Sequence, residues 1–274
     1  MKQRLCRGAL AVAFVLGLRA QPPAPTYIPQ TKFSSGQDVQ PVFEGWLRNA
    51  DGTFTMVFGY FNRNWQEELA IRAGPDNKLE PGDPDRGQPT YFLPRRQQFI
   101  FRVQVPADWD QKELVWTITA HGKTEKAYAQ LLPVEEISER MIMTRGGLNP
   151  GEDDPNQPPS ITITPLGTAS VATPLTLTAL VTDDGLPKPR PAPKPRPGAQ
   201  SNTVVNRPRG LNVSWLEYKG PARVTFDPPG MIVVADGQAI TTARFAEPGT
   251  YVLRATANDG ALSTVTEVTI TVSR

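Results

Sequence analysis

Prolines and glycines punctuate this chain so densely, at 29 and 22 of its 274 residues, that it can build turns and short strands but not long helices. Between the breaks, apolar and polar residues alternate with the period of two that marks a half-buried strand. Phe99, Phe101, Val103 and Val105 alternate with Gln98, Ile100, Arg102 and Gln104. Leu114, Trp116, Ile118 and Ala120 form a second inward row, and Phe54, Met56, Phe58 and Tyr60 a third. Asn49-Ala50-Asp51-Gly52 and His121-Gly122-Lys123-Thr124 read as hairpin turns, with Gly52 supplying a positive φ. Residues 73–89, rich in Gly, Pro and Asp, read as a loop. These elements define one β module over residues 39–133.

A second module spans residues 160–274. Its rows are Leu175, Leu177, Ala179 and Val181, then Val213 and Trp215, then Tyr251, Leu253, Ala255 and Ala257, and last Val268, Ile270 and Val272. At least six strand runs separated by turns predict a Greek-key sandwich. A Trp on the third strand fits that fold, and Gly249-Thr250-Tyr251-Val252-Leu253 has the spacing of a tyrosine corner, with Leu253 where antibody domains carry cysteine. Residues 134–159 read as a linker, and Val134, Ile137 and Met141 predict a short helix within 134–144. The expected fold is all-β, with two β-sandwich-like modules, the C-terminal one immunoglobulin-like, behind a cleaved signal peptide.

The signal-peptide reading rests on residues 1–20. A cationic start precedes ten apolar residues at positions 9–18, and Ala20 is a small residue suited to cleavage before Gln21. Ten residues rise only about 15 Å as a helix, half of a ~30 Å hydrocarbon core, so no transmembrane anchor is expected. Residues 21–38 form a proline-rich leader. Formal net charge is +2, but without Lys2, Arg4, Arg7 and Arg19 the chain has 25 basic against 27 acidic residues, a net of −2. That balance argues against nucleic acid as a partner. One cysteine, Cys6, and one histidine, His121, exclude disulfide scaffolds and Cys/His zinc sites. His121 lies in a turn with no evident acid partner. The acid pairs Glu67/Glu68, Glu135/Glu136 and Asp153/Asp154 are adjacent, so on a strand they face opposite sides.

Three segments of the second module carry a resemblance. Val181-Thr182-Asp183-Asp184-Gly185-Leu186-Pro187, Gly220-Pro221-Ala222-Arg223-Val224-Thr225-Phe226 and the run from Pro248 to Gly260 resemble polycystic-kidney-disease-type and cadherin-like immunoglobulin repeats of bacterial surface proteins. The match covers about residues 157–274. The aromatic-Asp-Phe-Gly-Asp-Gly turn common in such repeats is replaced by Trp215-Leu216-Glu217-Tyr218. The resemblance implies binding, spacing or adhesion rather than catalysis. Segments of the first module, such as Phe58-Gly59-Tyr60-Phe61-Asn62, resemble uncharacterised exported bacterial proteins, and this implies no activity.

Three constellations are candidate sites. In an immunoglobulin-like sandwich, Asp183, Asp184, Asn258 and Asp259 meet at one pole with residues 152–156. Related repeats bind calcium in this general place, and calcium takes six to eight hard oxygens. The same residues are also ordinary turn formers. Trp65 and Trp109, in loops beside polar residues, offer either a stacking platform for carbohydrate or lids on the ends of a sandwich. The insertion at 187–197 alternates prolines with Lys188, Arg190, Lys194 and Arg196. As polyproline II it spans about 35 Å, and it reads as a solvated insertion or as a cationic arm for a polyanion. The function expected is that of an exported non-enzymatic binding or structural protein of the bacterial cell envelope, periplasmic or at the cell surface. An envelope polysaccharide or a surface protein would be its partner, with calcium the one cofactor suggested. The alternative is a secreted polysaccharide-active enzyme or its accessory module.

Overall fold

The computed structural model describes residues 32–145, 153–164, 166–188 and 210–274. The signal peptide, its cleavage point, most of the leader, Glu152 and the arm residues Arg190, Lys194 and Arg196 lie outside the described residues. Residues 32–274 form one compact unit built around two apolar cores.

The first core is enclosed by β1 (Val39–Arg48), β2 (Phe54–Asn62), β3 (Leu69–Ala70), β4 (Asn77–Glu80), β5 (Tyr91–Phe92), β6 (Arg95–Val105), β7 (Leu114–Ala120) and β8 (Lys123–Ala129). Their sheets run β1-β2-β6 and β4-β7-β8, with β3-β5 as a small third. Aromatic rings fill the space between. Phe58 stacks on Phe101 at 5.1 Å between centroids, and Trp116 meets Phe101 edge-on at 4.7 Å, geometries worth about 0.5–1.5 kcal/mol each beyond area burial. Trp116 Nε1 donates to Asn77 Oδ1 at 2.9 Å. The β7 and β2 rows face inward much as their alternation requires, although Phe54 is only half-buried. The turn joining β7 to β8 has two residues, His121 (φ 51°) and Gly122 (φ 75°), the type I′ pattern whose twist suits a hairpin.

Three expectations need correction. The β6 alternation fails at its start. Phe58 pairs with Phe101 but Tyr60 with Gln97, so Gln98, Phe99 and Ile100 bulge opposite Gly59. Ile100 thereby turns inward while Phe99 is left half-buried at φ 52°. A Cβ on Gly59 would collide with the Gln97 carbonyl. The loop at 73–89 contains β4, which pairs with β7 from Asn77↔Ile118 to Glu80↔Val115. The short helix expected within 134–144 is α1 (Glu139–Met143), but it is preceded by a 3-10 turn at Pro133–Glu135, so Val134 and Ile137 do not share a helical face with Met141. Between these, Glu136 bridges to Trp46 and Ile137 N donates to Trp46 O. Val134 is 91% exposed.

The second core lies between two sheets built from β9 (Ser160–Ile163), β10 (Ala169–Ser170), β11 (Leu175–Thr182), β12 (Asn212–Lys219), β13 (Val224–Asp227), β14 (Met231–Val233), β15 (Gln238–Phe245), β16 (Gly249–Asn258) and β17 (Ser263–Ser273). One sheet runs β13-β15-β11-β9 and the other β10-β17-β16-β12-β14. In chain order these are the D-E-B-A and G-F-C arrangements of an immunoglobulin-like sandwich. The short β10 runs parallel to β17, and every other pair in the module is antiparallel. Trp215 is buried on the C-type strand, and Leu253 fills the usual cysteine position without exposure. Tyr251 Oη donates to Glu247 O at 2.7 Å, four residues upstream, closing the tyrosine corner. Tyr251→Phe leaves that carbonyl without its donor and is expected to lower stability by about 1–2 kcal/mol, measured as a shift of the urea midpoint at constant m. An unchanged midpoint would remove the corner from the account of stability.

Candidate functional site

The two modules are joined through the outer face of the β12-β16-β17 sheet. Alternation on β12 sends Val213 and Trp215 into the second core, so Leu216 and Tyr218 project the other way. Both pack on the first core, and Tyr218 is 4% exposed. Its hydroxyl donates to Gly87 O at 2.5 Å, and its carbonyl accepts from Thr90 N at 3.1 Å. The Arg254 guanidinium lies 3.9 Å from the Tyr218 ring centroid. It donates from Nη1 to Ile100 O at 2.5 Å and from Nε to Glu267 Oε1 at 2.9 Å. The β6 bulge therefore has a structural consequence, because it presents the Ile100 carbonyl to an arginine of the other module. Burial raises the Tyr218 phenol pKa, opposed by the Arg254 charge, so the ring stays neutral. Lys219–Asp85 at 3.4 Å and Arg223–Glu68 at 3.4 Å also cross the boundary.

Beside this contact lies a cleft of about 520 Å³, walled by the bulge, α1 and the outer faces of β16 and β17. Phe99, Ile142, Met143 and Val265 give it apolar surface, with Thr256 and Thr264 among its polar lining. Arg102 and Glu139 pair across it through two bonds of 2.5 and 2.8 Å. Sequence reasoning missed this cleft. Its one sequence signal was Leu216 and Tyr218, apolar or aromatic side chains on the face of β12 opposite Val213 and Trp215.

The acidic pole is assembled, and its oxygens are taken by turns. Asp183 Oδ2 accepts from Gly185 N, Asp184 Oδ1 from Leu186 N, Asn258 Oδ1 from Gly260 N and Asp259 Oδ1 from Ala261 N. Each is a bond to the residue two ahead, the Asx-turn pattern. Asp184 Oδ2 also accepts from Gln157 N, and Asp259 Oδ2 from Asn156 Nδ2. Asp183 Oδ1 and Asn156 Oδ1 are the buried oxygens here without a partner among the described residues. Among the described residues no group of three or more His, Cys, Asp or Glu side chains could hold an ion. Of the two readings open to these residues, turn formation accounts for the bonds they make. Desolvation, with the charges of Asp259 and Asp184 adding to it, raises the Asp183 pKa against the Gly185 amide.

The tryptophans do not form a platform. Trp109 is 6% exposed and belongs to the first core, so it lids that module. Trp65 is 42% exposed, but Lys32 Nζ and Arg95 Cζ lie over its ring at 4.4 and 4.3 Å, where a sugar would stack. His121 has an acid partner after all, with Nε2 at 3.1 Å from Glu67 Oε2. The same oxygen accepts from Gly36 N, so the last leader residues are tied to the body. Lys188 is exposed.

One buried acid near the boundary was also unread. Glu217 is 3% exposed; Oε2 accepts from Val224 N at 2.9 Å, while Oε1 has no partner among the described residues. Burial pushes its pKa up to about 8, opposed by the Val224 amide and helped by the charge of Glu68. The folded state thus holds a proton that the unfolded chain has released above pH 4.5, so Glu217 makes stability fall between about pH 4.5 and pH 8. Urea unfolding of Glu217→Gln against the wild type should show that component lost, and parallel pH profiles would refute the assignment. The acidic pole makes a second prediction: millimolar calcium leaves the calorimetric melting temperature unchanged. A rise that Asp183→Asn abolishes would restore the metal site.

No family model matches the chain, and no curated protein matches it. Among solved structures it is similar to a conjugative transposon lipoprotein from Bacteroides eggerthii, at TM-score 0.28 and 8% identity over 41% of this chain and 96% of that one. It is similar to the D00-D0 domain of intimin at TM-score 0.27 and 12% identity, over 85% and 99% of the respective chains. A chimeric titin Z1Z2 aligns at TM-score 0.27 and 11% identity, over 87% and 100%. Such scores are too low to support a relationship, and the immunoglobulin-like assignment rests on strand order and the tyrosine corner.

Proposed function

We propose that this chain is an exported, non-enzymatic binding or structural protein of the bacterial cell envelope, whose two β modules act as one stiff body. The observation that supports this reading is the Tyr218–Arg254 junction, which joins the modules through buried contacts rather than through a flexible linker. A stiff body of this kind suits a protein that spaces or presents partners, such as an envelope polysaccharide or a surface protein. The polysaccharide-active alternative needs two carboxyl groups free to face a substrate. The cleft acids Glu139 and Glu267 are each held by an arginine, and Glu217 is sealed from solvent, so these three do not supply such a pair. Among the described residues no helix is long and apolar enough to cross a membrane.

Export is the part of the reading most directly tested. Full-length chain expressed in a bacterium is expected in the periplasmic or extracellular fraction, with intact mass placing its N-terminus near Gln21. Cytoplasmic protein retaining residues 1–20 would overturn the reading.

A further inference from the structure

The inter-module cleft has a charge pattern that its own ion pairs leave unbalanced. Arg102 is neutralised by Glu139, and Arg254 by Glu267. Arg145, at the end of α1, also lines the cleft. Among the described residues it has no carboxylate within ion-pair distance, and it reaches Thr256 Oγ1 only at 3.5 Å. Arg145 is exposed, and desolvation by the surrounding protein, then the Arg254 cation, lower its pKa from the ordinary arginine value. Arginine nevertheless stays charged. Among the described residues the cleft therefore presents one positive charge, that of Arg145 next to the Thr256 hydroxyl, with no carboxylate paired to it.

The rest of the cleft selects what accompanies an anion. Phe99 holds a left-handed φ of 52°, a strained conformation for a bulky residue, and it is half-buried at the wall. Ile142, Met143 and Val265 add apolar surface. A volume of about 520 Å³ falls within the ordinary range for small-molecule sites. The buried Arg254, bonded to the Ile100 carbonyl, holds the two modules together beside the cleft, and Arg102 pairs with Glu139 at its surface. Hydroxyls in the lining suit a ligand carrying an amide better than a bare hydrocarbon chain.

We propose that this cleft binds the carboxylate end of an acylated amino acid or short apolar peptide, with the carboxylate on Arg145 and the apolar side chain against Phe99, Ile142 and Val265. The proposal names a ligand class for the binding function proposed above and rests on that reading. Its test needs no export, so the two fail separately.

The probe is N-acetyl-L-leucine, titrated into the full-length chain and followed by amide chemical shifts, with N-acetyl-L-leucinamide and octanoate as comparison arms. The acid is expected to perturb residues around Phe99, Arg145, Thr256 and Val265, and to bind at least about tenfold more tightly than the amide, a difference of about 1.4 kcal/mol. Arg145→Gln should abolish that preference, and Arg145→Lys should keep part of it. Val265→Asp, an exposed substitution, should weaken the acid without unfolding the chain. Equal affinity for acid and amide, shifts that map elsewhere, or a preference surviving in Arg145→Gln would overturn the proposal. Octanoate binding as tightly as the acetylated amino acid would overturn the peptide assignment.

Discussion

The insertion of Tyr218 into the first core is the contact on which the rest of the arrangement depends. β12 belongs by hydrogen bonding to the second module, yet its outward side chains complete the apolar cluster of the first. Fully burying an aromatic or large aliphatic side chain contributes about 1.5–3 kcal/mol, and Tyr218 adds a hydroxyl bond to Gly87 and a carbonyl bond to Thr90. Inter-domain contacts within a chain commonly permit relative motion unless the interface is substantial and apolar. Here one strand serves two cores, so bending the modules apart would expose the outer face of β12, with Leu216 and Tyr218. The cleft exists because that contact holds its two walls at a fixed separation.

The charged groups at the boundary follow from the same contact. A guanidinium taken out of water is destabilising unless its donors are satisfied and its charge is paired. Arg254 meets both conditions with Glu267 and the Ile100 carbonyl, and its flat face covers the Tyr218 ring, a contact worth about 0.5–2 kcal/mol when desolvated. The Ile100 carbonyl is available because β6 bulges opposite Gly59. A side chain on Gly59 would collide with the Gln97 carbonyl, where the bulge begins.

Strand alternation made the fold class and most core rows legible in the sequence, because burial on one sheet face imposes a period of two on whatever sequence adopts it. Tyr251 was legible for a similar reason, since its bond to Glu247 is local. What stayed hidden depended on tertiary context. Nothing local distinguishes Phe99 from Phe101 until β2 supplies Gly59 opposite the bulge. β4 carries only Leu79 as an apolar signal, and Asn77 is buried because Trp116 needs its oxygen. Trp109 read as a loop residue, which it is, but the loop folds back over the core. The acids at 183, 184 and 259 were ambiguous because a carboxylate that accepts from its own turn and one that binds a cation have the same spacing in sequence.

Leu216 and Tyr218 show how such a boundary could be read in another chain. A solvated strand face carries polar residues, whereas β12 is apolar or aromatic on alternate positions of both faces through Val213, Trp215, Leu216 and Tyr218. Strands buried on both sides carry near-continuous apolar runs for that reason. One such strand in an otherwise alternating antiparallel module is a sign that a second body covers the sheet. The same reasoning locates charge. A cation on the covered face, as Arg254 is on β16, must find its acceptors in the covering body or beside it. Arg254 finds both kinds, a carboxylate on the neighbouring strand and a carbonyl on the bulge across the boundary. Arg145, at the edge of the covered region, has neither among the described residues, and that difference between two arginines of one cleft makes its open side attractive to an anion.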